Sequence, residues 1–584
     1  MDWYRRYLEG AFTMEYTPVY DVRTIRDLKE MISESEKQFG SKNAFLVKSG
    51  ENTYKGISYT EFKNDLDAFG TALLGLELKD KFIAVIGENR YEWCVTYLST
   101  VNGAGVIVPL DKELPVAEIE NLLTRSNAEA VVFSGKLEKE IRKIMPVLSS
   151  IKYYINMDAD QDGNGFLSFR QLVKKGREHI KSGDCSYINT RVDNERLSIL
   201  LFTSGTTDLA KGVMLSHKNL CSDIMAIGKT LYIDEKDLTL SILPLHHTYE
   251  CTTDFLFMIY RGCTISFNEG LKHISKNLKE VKPTVLVLVP LILENMHKKI
   301  WEQAAKSGKK TKLKLALTVS DIIYKFLKID IRKRLFRQIH ENVGGRVRLI
   351  ISGAAAINPE ISRSFHSMGL NLLQGYGLTE CSPVVSVSRE SDFKHDTIGQ
   401  PLPGIEVKID SPGEGGIGEV MVKGVIVMLG YFQNQLATEK VMKDGWLYTG
   451  DLGCIDKDGF IKITGRKKNV IVTKNGKNVF PEEVEAYLNN SPYIVESLVW
   501  GKHEELSGET LVHAQIVPDI DAIKERLKTD KISQDDIYRF VNSEVKSINK
   551  MMPLYKHIKQ FTIREEEFAK TTTKKIKRYV EKTG

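Results

Sequence analysis

The chain lacks a CxxC pair, a GxSxG segment, an HExxH segment and any long apolar run, and each absence removes a class of protein. Seven cysteines (Cys94, Cys185, Cys221, Cys251, Cys263, Cys381 and Cys454) are scattered and odd in number. That pattern excludes a disulfide framework and a thiolate zinc site, and it points to a reducing compartment. Missing GxSxG and HExxH weakens any hydrolase reading. The longest apolar stretch, Val285 to Leu293, contains Pro290 and is about half of a membrane span. Met1-Asp-Trp-Tyr-Arg-Arg-Tyr has none of the apolar character of a secretory leader. There is no low-complexity tract. A soluble, cytoplasmic protein is the expectation.

What is present is core material: 42% hydrophobic and 9% aromatic residues in 584 positions, enough for two to four structural units. Phe82-Ile-Ala-Val-Ile-Gly, Ala104-Gly-Val-Ile-Val-Pro-Leu and Glu129-Ala-Val-Val-Phe-Ser read as buried strands with helical stretches between them. Leu197-Ser-Ile-Leu-Leu-Phe, Pro283-Thr-Val-Leu-Val-Leu-Val and Val347-Arg-Leu-Ile-Ile-Ser continue the rhythm. Strands alternating with helices predict parallel sheets in an α/β fold. From about Thr397 dense Gly and Asp turns, as in Gly413-Glu-Gly-Gly-Ile-Gly, predict a β-rich subdomain. After Gly465 a smaller α/β unit runs on to the C-terminus.

Charge is uneven. Residues 298–340 hold thirteen Lys or Arg against Glu302, Asp321 and Asp330, a local net of +10 in a chain whose net is +6, so the remainder carries −4. Leu315, Ile322, Ile323, Phe326, Leu327 and Ile329 lie among those cations. Two readings are open: a helix that lies on an anionic membrane, or an ordinary amphipathic helix on the core with a solvated basic face.

Chemistry concentrates in Leu201-Phe-Thr-Ser-Gly-Thr-Thr-Asp-Leu-Ala-Lys-Gly-Val-Met. A buried strand gives way to four hydroxyls, on Thr203, Ser204, Thr206 and Thr207, around Gly205, and then to Lys211-Gly212. Hydroxyls and loop N–H groups donate to phosphate oxygens, and glycine lets the backbone approach. A P-loop is excluded, because Lys211 is followed by Gly212 and a strand-like run instead of Ser or Thr and a helix.

Further motifs follow in order: Pro244-Leu-His-His-Thr-Tyr-Glu; Ser352-Gly-Ala-Ala-Ala; Gln374-Gly-Tyr-Gly-Leu-Thr-Glu; Tyr448-Thr-Gly-Asp; Gly465-Arg-Lys-Lys-Asn; Lys474-Asn-Gly-Lys-Asn-Val-Phe-Pro; and Phe568-Ala-Lys-Thr-Thr-Thr-Lys-Lys-Ile-Lys-Arg. Together with the hydroxyl loop, this ordered set resembles the adenylate-forming superfamily, whose members include acyl-CoA synthetases, firefly luciferase and peptide-synthetase adenylation domains. The chain is most similar to the long-chain fatty acid–CoA ligase branch.

The resemblance implies a fold of a large N-terminal adenylation domain, residues 1–465, and a mobile C-terminal domain, residues 466–584. It implies ATP activation of a long- or medium-chain fatty acid to acyl-AMP, then transfer to coenzyme A with release of AMP and pyrophosphate. Lys575, Thr203, Glu380 and His247 are the expected catalytic residues. The ATP and AMP contacts fall on Thr203, Ser204, Gly205, Thr206, Thr207, Lys211, Gly353, Ala354, Ala355, Gln374, Gly375, Tyr376, Gly377, Thr379, Asp451, Ile463, Arg466 and Lys575. Glu380 and Thr206 would hold Mg²⁺, which favours carboxylate and phosphate oxygens. Lys474, Asn475 and Gly476 would face CoA, and Lys468 and Asn469 would form the hinge.

Two positions depart from the family pattern. Lys574 stands where glycine usually precedes the terminal lysine, and Asn469 replaces the commoner Asp at the hinge. An acyl–acyl-carrier-protein synthetase would share the adenylation step, with the basic segment docking an acidic carrier. A non-catalytic adenylate sensor is disfavoured by retention of Lys575 and Glu380, and no nucleic-acid partner is expected. Asp158-Ala-Asp-Gln-Asp-Gly imitates an EF-hand start, but position twelve is Phe169 where calcium needs a bidentate Glu, so a polar turn is expected. His246 and His247 with Glu250 lack a third ligand nearby, so no metal is expected there.

Overall fold

The computed structural model describes residues 16–203, 210–473, 477–504, 509–570 and 576–578. They divide into two compact units, one from Thr13–Glu406 and Val422–Leu447, the other from Val407–Met421 and Tyr448–Gly584.

The first unit is built on two mostly parallel sheets. In one, the strand order is Gly430–Tyr431, Lys211–Ser216, Leu197–Thr203, Gly105–Leu110, Lys81–Ile86, Ala128–Phe133, Tyr153–Asn156 and Leu167–Ser168. The strands from Leu197–Thr203 onward pair in parallel, while Lys211–Ser216 turns back antiparallel. The other sheet runs Gln400–Pro401, Val384–Val387, Asn371–Gly377, Leu349–Ser352, Val285–Leu288, Leu238–Ser241, Thr264–Phe267, Asn43–Gly50 and Thr53–Ser58. The six from Asn371–Gly377 to Asn43–Gly50 are parallel. All six strands read from the apolar runs are present, because side chains covered by helices on both faces are apolar at every position and not at alternate ones. Ile83, Val85, Ile107, Val132, Leu286 and Ile350 are fully buried.

Two of the long helices are capped by their own flanking residues. Ser58 and Glu61 form a reciprocal capping box at the start of Tyr59–Gly75, and Ser216 and Asn219 do the same for His217–Gly228, satisfying N–H groups that have no partner within the helix. The helix Phe169–Lys181 lies against Tyr59–Gly75, and a Cβ built on Gly176 would sit 1.8 Å from the Ala68 carbonyl oxygen. Bare backbone is the only fit at that crossing.

The Asp158–Gly163 segment is a polar turn. Asp162 accepts from the Ser168 N–H at 2.8 Å, Asp160 pairs with Arg170 at 2.6 Å, and Gly163 bridges to Phe166. Its acids are used by the protein itself.

The basic stretch forms helices Pro290–Lys306 and Lys310–Ile322, a wide turn Ile323–Leu327, and two short helices, Arg332–Leu335 and Arg337–Asn342. Of the six apolar residues named from the sequence, Leu315 (64%), Ile322, Phe326 (74%), Leu327 (64%) and Ile329 are exposed and Ile323 is half-buried. Those residues are therefore not the core-facing side of the helix: Lys310–Ile322 turns Leu313, Leu317 and Ser320 inward instead, and Phe336 and Ile339 pack on the core further along. The stretch is fastened at its base to the C-terminus of helix Pro359–Ser367. Arg332 Nη1, Ser320 Oγ and His340 Nε2 reach the carbonyls of His366, Ser367 and Met368 at 2.9–3.0 Å, the groups a helix end leaves unpaired.

The second unit begins β-rich, as the Gly- and Asp-dense texture predicts. Glu406–Asp410, Gly418–Lys423 and Trp446–Ile455 are neighbours, and Ile461–Arg466 pairs antiparallel to Trp446–Ile455. The α/β part then packs helices Pro481–Asn489, Ile520–Leu527 and Gln534–Asn549 on the sheet Ile494–Glu504, Glu509–Pro518 and Gln560–Ile563 around Val484, Leu488, Val499, Ile516, Val541 and Val545. Among the described residues no helix is long and apolar enough to cross a membrane.

Gly176→Ala would gain about 1 kcal/mol of helix propensity but forces a methyl into a carbonyl oxygen. We expect a net loss of about 2 kcal/mol in denaturant unfolding; an unchanged midpoint would show that the two helices do not cross at this residue.

Candidate active site

Motifs far apart in the chain meet at the ends of the parallel strands of the first unit, where α/β sheets place ligands. Thr203 closes its strand opposite Lys211, and its hydroxyl donates to the Lys211 carbonyl at 3.4 Å. These two residues bracket the hydroxyl loop; Ser204, Gly205, Thr206 and Thr207 themselves lie outside the described residues. The exit of the loop is held by Arg125, which donates to the Ala210 carbonyl at 2.7 Å and lies over the Phe202 ring.

The Lys211 ammonium sits 4.9 Å from the centre of the Tyr431 ring, close enough for a cation–π attraction. The Tyr431 hydroxyl donates to Glu380 Oε1 at 2.9 Å, and the Glu380 carbonyl accepts from the Met428 N–H at 2.8 Å. Lysine, phenol and carboxylate thus stand in one line. Thr379, next to Glu380, has its Oγ1 3.4 Å from Thr248 Oγ1, which joins the Thr-Glu turn to the His-His segment.

That segment is braced from three sides. Asn89 donates to Ser241 Oγ at 2.8 Å and to the Leu243 carbonyl at 2.6 Å, and accepts from the Leu245 N–H at 3.0 Å. His246 is buried, with Nε2 3.7 Å from Asp111. Burial, helped by the Lys112 charge, pushes its pKa down to about 3, so the ring is neutral at physiological pH. His247 leads into the turn Thr248–Glu250, its ring 4.1 Å from that of His246. Tyr249 then reaches across to donate to the carbonyls of Leu288 and Ile351 at 3.3 and 3.2 Å.

The Ser352–Ala356 motif follows strand Leu349–Ser352, with Ala354 at a left-handed φ of 70°. A Cβ on Gly353 would meet the Tyr249 ring at 2.6 Å, so the phenol can lie under this loop only where the side chain is missing. Ser352 is in register with Gln374 on the adjacent strand. Gln374 is buried and donates to the His395 carbonyl at 2.7 Å, and Gly375, Tyr376 and Gly377 follow it along the same strand. Thr203, Lys211, Gly353, Ala354, Ala355, Gln374, Gly375, Tyr376, Gly377, Thr379, Glu380 and His247 therefore all belong to the first unit.

Asp451, Ile463 and Arg466 belong to the second. Asp451 is buried and Arg466 faces it across the ladder, with Nε 2.7 Å from Oδ1; Ile463 pairs with Gly453 on the same ladder. Lys468 and Asn469 form a single helical turn with Lys467, and Asn469 Nδ2 donates to Glu482 Oε1 at 2.7 Å. Lys474, Asn475 and Gly476 lie outside the described residues, as does Lys575. On one side of Lys575, Lys570 pairs with Glu496 at 2.7 Å. On the other, Arg578 donates to the Val499 carbonyl at 3.0 Å and pairs with Glu485, whose burial raises it to about 7.

A family model described as AMP-binding enzyme matches residues 32–432, and one described as AMP-binding enzyme C-terminal domain matches 468–581. The chain belongs to the AMP-binding enzyme family. Among curated relatives, long-chain-fatty-acid–CoA ligase 1 of Cavia porcellus is 30% identical over 86% of this chain and 75% of its own length. Long-chain-fatty-acid–CoA ligase FadD15 of Mycobacterium bovis is 28% identical over 91% of both chains. Among solved structures, ATP-bound MatB from Rhodopseudomonas palustris shares the fold, with a TM-score of 0.73 at 23% identity over 95% of this chain and 98% of that one.

Several residues of this AMP-binding enzyme's candidate site went unread in the sequence. Arg125 and Tyr431 carry no local signal, because they act on partners 85 and 51 residues away, and Glu482, just after Pro481 in the Lys474 motif, was given no role of its own.

The Asn469–Glu482 bond gives a direct check. Asn469→Asp places carboxylate against carboxylate, and we expect thermal unfolding to show a loss of about 1–2 kcal/mol. Adding Glu482→Gln lets the new amide donate to the introduced carboxylate and should restore most of it. A double variant no better than the single one would show that this contact is not made.

Proposed function

We propose that this AMP-binding enzyme uses ATP to convert a long- or medium-chain fatty acid to acyl-AMP and then to acyl-CoA, releasing pyrophosphate and AMP. The line from Lys211 through Tyr431 to Glu380 carries the reading, because it sets the end of the hydroxyl loop beside the Thr-Glu motif. Both curated relatives above bear the name of that activity.

The first step is attack of a carboxylate on the α-phosphate. The acid is already ionised at neutral pH and needs no base, so the barrier is the meeting of two anions. Cations and N–H or O–H donors aimed at the charge that builds on phosphorus lower it. Thr203, Ser204, Gly205, Thr206, Thr207 and Lys211 donate to the polyphosphate, Thr379 binds a phosphate oxygen, and Lys575 reaches the α-phosphate and the carboxylate. Tyr376, with Gly353, Ala354, Ala355, Gln374, Gly375 and Gly377, receives adenine, while Asp451 accepts from the ribose hydroxyls beside Ile463 and Arg466. His247 lies by the acyl carboxylate.

Magnesium fits these residues. It takes one or two protein oxygens together with phosphate oxygens, so the Glu380 carboxylate with the Thr206 hydroxyl suffices and no three-ligand cluster is needed; none occurs among the described residues. When bound, it neutralises phosphate charge.

In the second step residues 466–584 turn about Lys468 and Asn469 as a mobile domain. Lys575 is withdrawn, and Lys474, Asn475 and Gly476 are presented to CoA. The enzyme works in the cytoplasm and takes its substrate from an anionic membrane surface through the 298–340 segment. Exposed Leu315, Phe326 and Leu327 among Lys312, Lys314, Lys325 and Lys328 support this, since apolar side chains ringed by cations suit the headgroup boundary.

Pyrophosphate release should depend on fatty acids within a panel of acids, and comparison of CoA with acyl carrier protein as acceptor should favour CoA. Lys575→Ala should abolish acyl-adenylate formation yet leave thioester formation from supplied acyl-adenylate largely intact; equal loss in both half-reactions would sink the two-state assignment. In sedimentation with liposomes, the protein should follow anionic vesicles and stay behind with neutral ones, and Phe326→Ser with Leu327→Ser should abolish the difference. Equal sedimentation with both vesicle types would remove the membrane reading.

A further inference from the structure

The residues from Thr248 to Leu256 wind first as the turn Thr248–Glu250 and then as the wider turn Cys251–Leu256. Most of their polar groups have evident partners: Thr248 meets Thr379, Tyr249 lies under Gly353, and Thr252 donates to the Ser382 carbonyl at 3.1 Å. Two carboxyl groups remain, and the chemistry above has no use for either. Glu250 is 0% exposed and Asp254 1%.

Both point at strand Leu238–Ser241. Ser241 Oγ donates to Glu250 Oε1 at 2.7 Å, and Thr239 Oγ1, two residues earlier on the same face of that strand, donates to Asp254 Oδ1. Their other oxygens, Oε2 and Oδ2, are buried without a hydrogen-bond partner, and the two carboxyl groups, one helical turn apart and bonded to the same face of one strand, are close enough to influence each other's protonation. The titratable groups that sense the pair are the Tyr249 phenol and the Cys94 and Cys251 thiols, none of them a cation. Two neighbouring buried carboxylates with one hydroxyl donor each and no counter-charge cannot both stay ionised.

The pair is also wired to the site. Ser241, which donates to Glu250, accepts from Asn89, and Asn89 in turn holds Leu243 and Leu245. The chain continues directly into His246 and His247. Strand end, Asn89 and the turn after His247 therefore share one hydrogen-bonded frame.

We propose that Glu250 and Asp254 share a single proton, and that this carboxyl–carboxylate bond is a positioning device that fixes the His246–His247 turn against strand Leu238–Ser241. Burial, and then the neighbouring Asp254, raises Glu250 far above the usual carboxylate range, whereas Asp254 rises only to about 6; the proton resides on Glu250. Neither residue touches the reacting atoms. The activity readout below rests on the proposed function; the spectroscopic one does not.

The test uses the full chain. In infrared spectra at pH 8, the parent-minus-Glu250→Gln difference should contain the carbonyl stretch of one protonated carboxylic acid. In acid-dependent ATP–pyrophosphate exchange, Glu250→Leu should lower kcat/KM by about 10–100-fold, as displacement of a positioned group does. Glu250→Gln, whose amide still donates to Asp254, should stay within about threefold of the parent, since a neutral donor to a carboxylate preserves the bond. A difference spectrum without the band overturns the shared proton. Parent-like exchange by Glu250→Leu, or a Gln variant as damaged as the Leu one, overturns the positioning role. If Glu250→Leu does not fold, the band and the Gln variant still decide. A parent with no acid-dependent exchange counts against the proposed function alone, and the infrared result then stands by itself.

Discussion

The Tyr249 ring beneath Gly353 is the contact on which the candidate site is built. It brings the His-His segment, strands Val285–Leu288 and Leu349–Ser352, and the Ser-Gly-Ala loop within one side chain of each other, because the phenol donates to the carbonyl ends of both strands. A single methyl at 353 would push the loop off the ring. From that fixed point the neighbouring contacts follow: Thr248 at Thr379, Gln374 beside Ser352, and the Thr379-Glu380 turn against Tyr431.

The electrostatics of the site are as constrained as its packing. His246 is held neutral by burial next to Asp111, and Lys211 faces an aromatic ring instead of a carboxylate. An ammonium on a phenol keeps more of its charge available to an incoming polyanion than one locked in an ion pair. In the second unit the arrangement is opposite: the Asp451 carboxylate is already paired with the Arg466 guanidinium at 2.7 Å.

How much of this was legible in the sequence depends on how far apart the interacting residues lie. Strands such as Phe82–Gly87 and Val347–Ser352 were readable because burial on both faces leaves an unbroken apolar run, and the strand ends at Thr203 and Lys211 because glycines and hydroxyl residues interrupt that run between them. The Asp158 turn was readable from the one wrong residue, Phe169. The basic stretch was not decided by its pattern, since an apolar stripe looks the same whether a core or open solvent lies opposite; only the exposure of Phe326 and Leu327 tells them apart. Nor does local texture show that Val407–Met421 and Val422–Leu447, adjacent in the chain, go to different units, or that Glu250 and Asp254 face each other without a cation. These are properties of contacts, and a pattern of single residues does not carry them.

The three anchors at the end of helix Pro359–Ser367 have a consequence for how this enzyme can be shortened. Arg332, Ser320 and His340 fill the hydrogen-bonding valences of three successive carbonyls, and shortly beyond them begins the strand that bears Gln374 and Tyr376. Excising the basic excursion as though it were an ornament would leave the Ser367 and Met368 oxygens without these donors and the His366 oxygen with the Gly369 N–H alone, at the foot of the strand Asn371–Gly377. The loop that looks most dispensable from outside is a keystone seen from beneath.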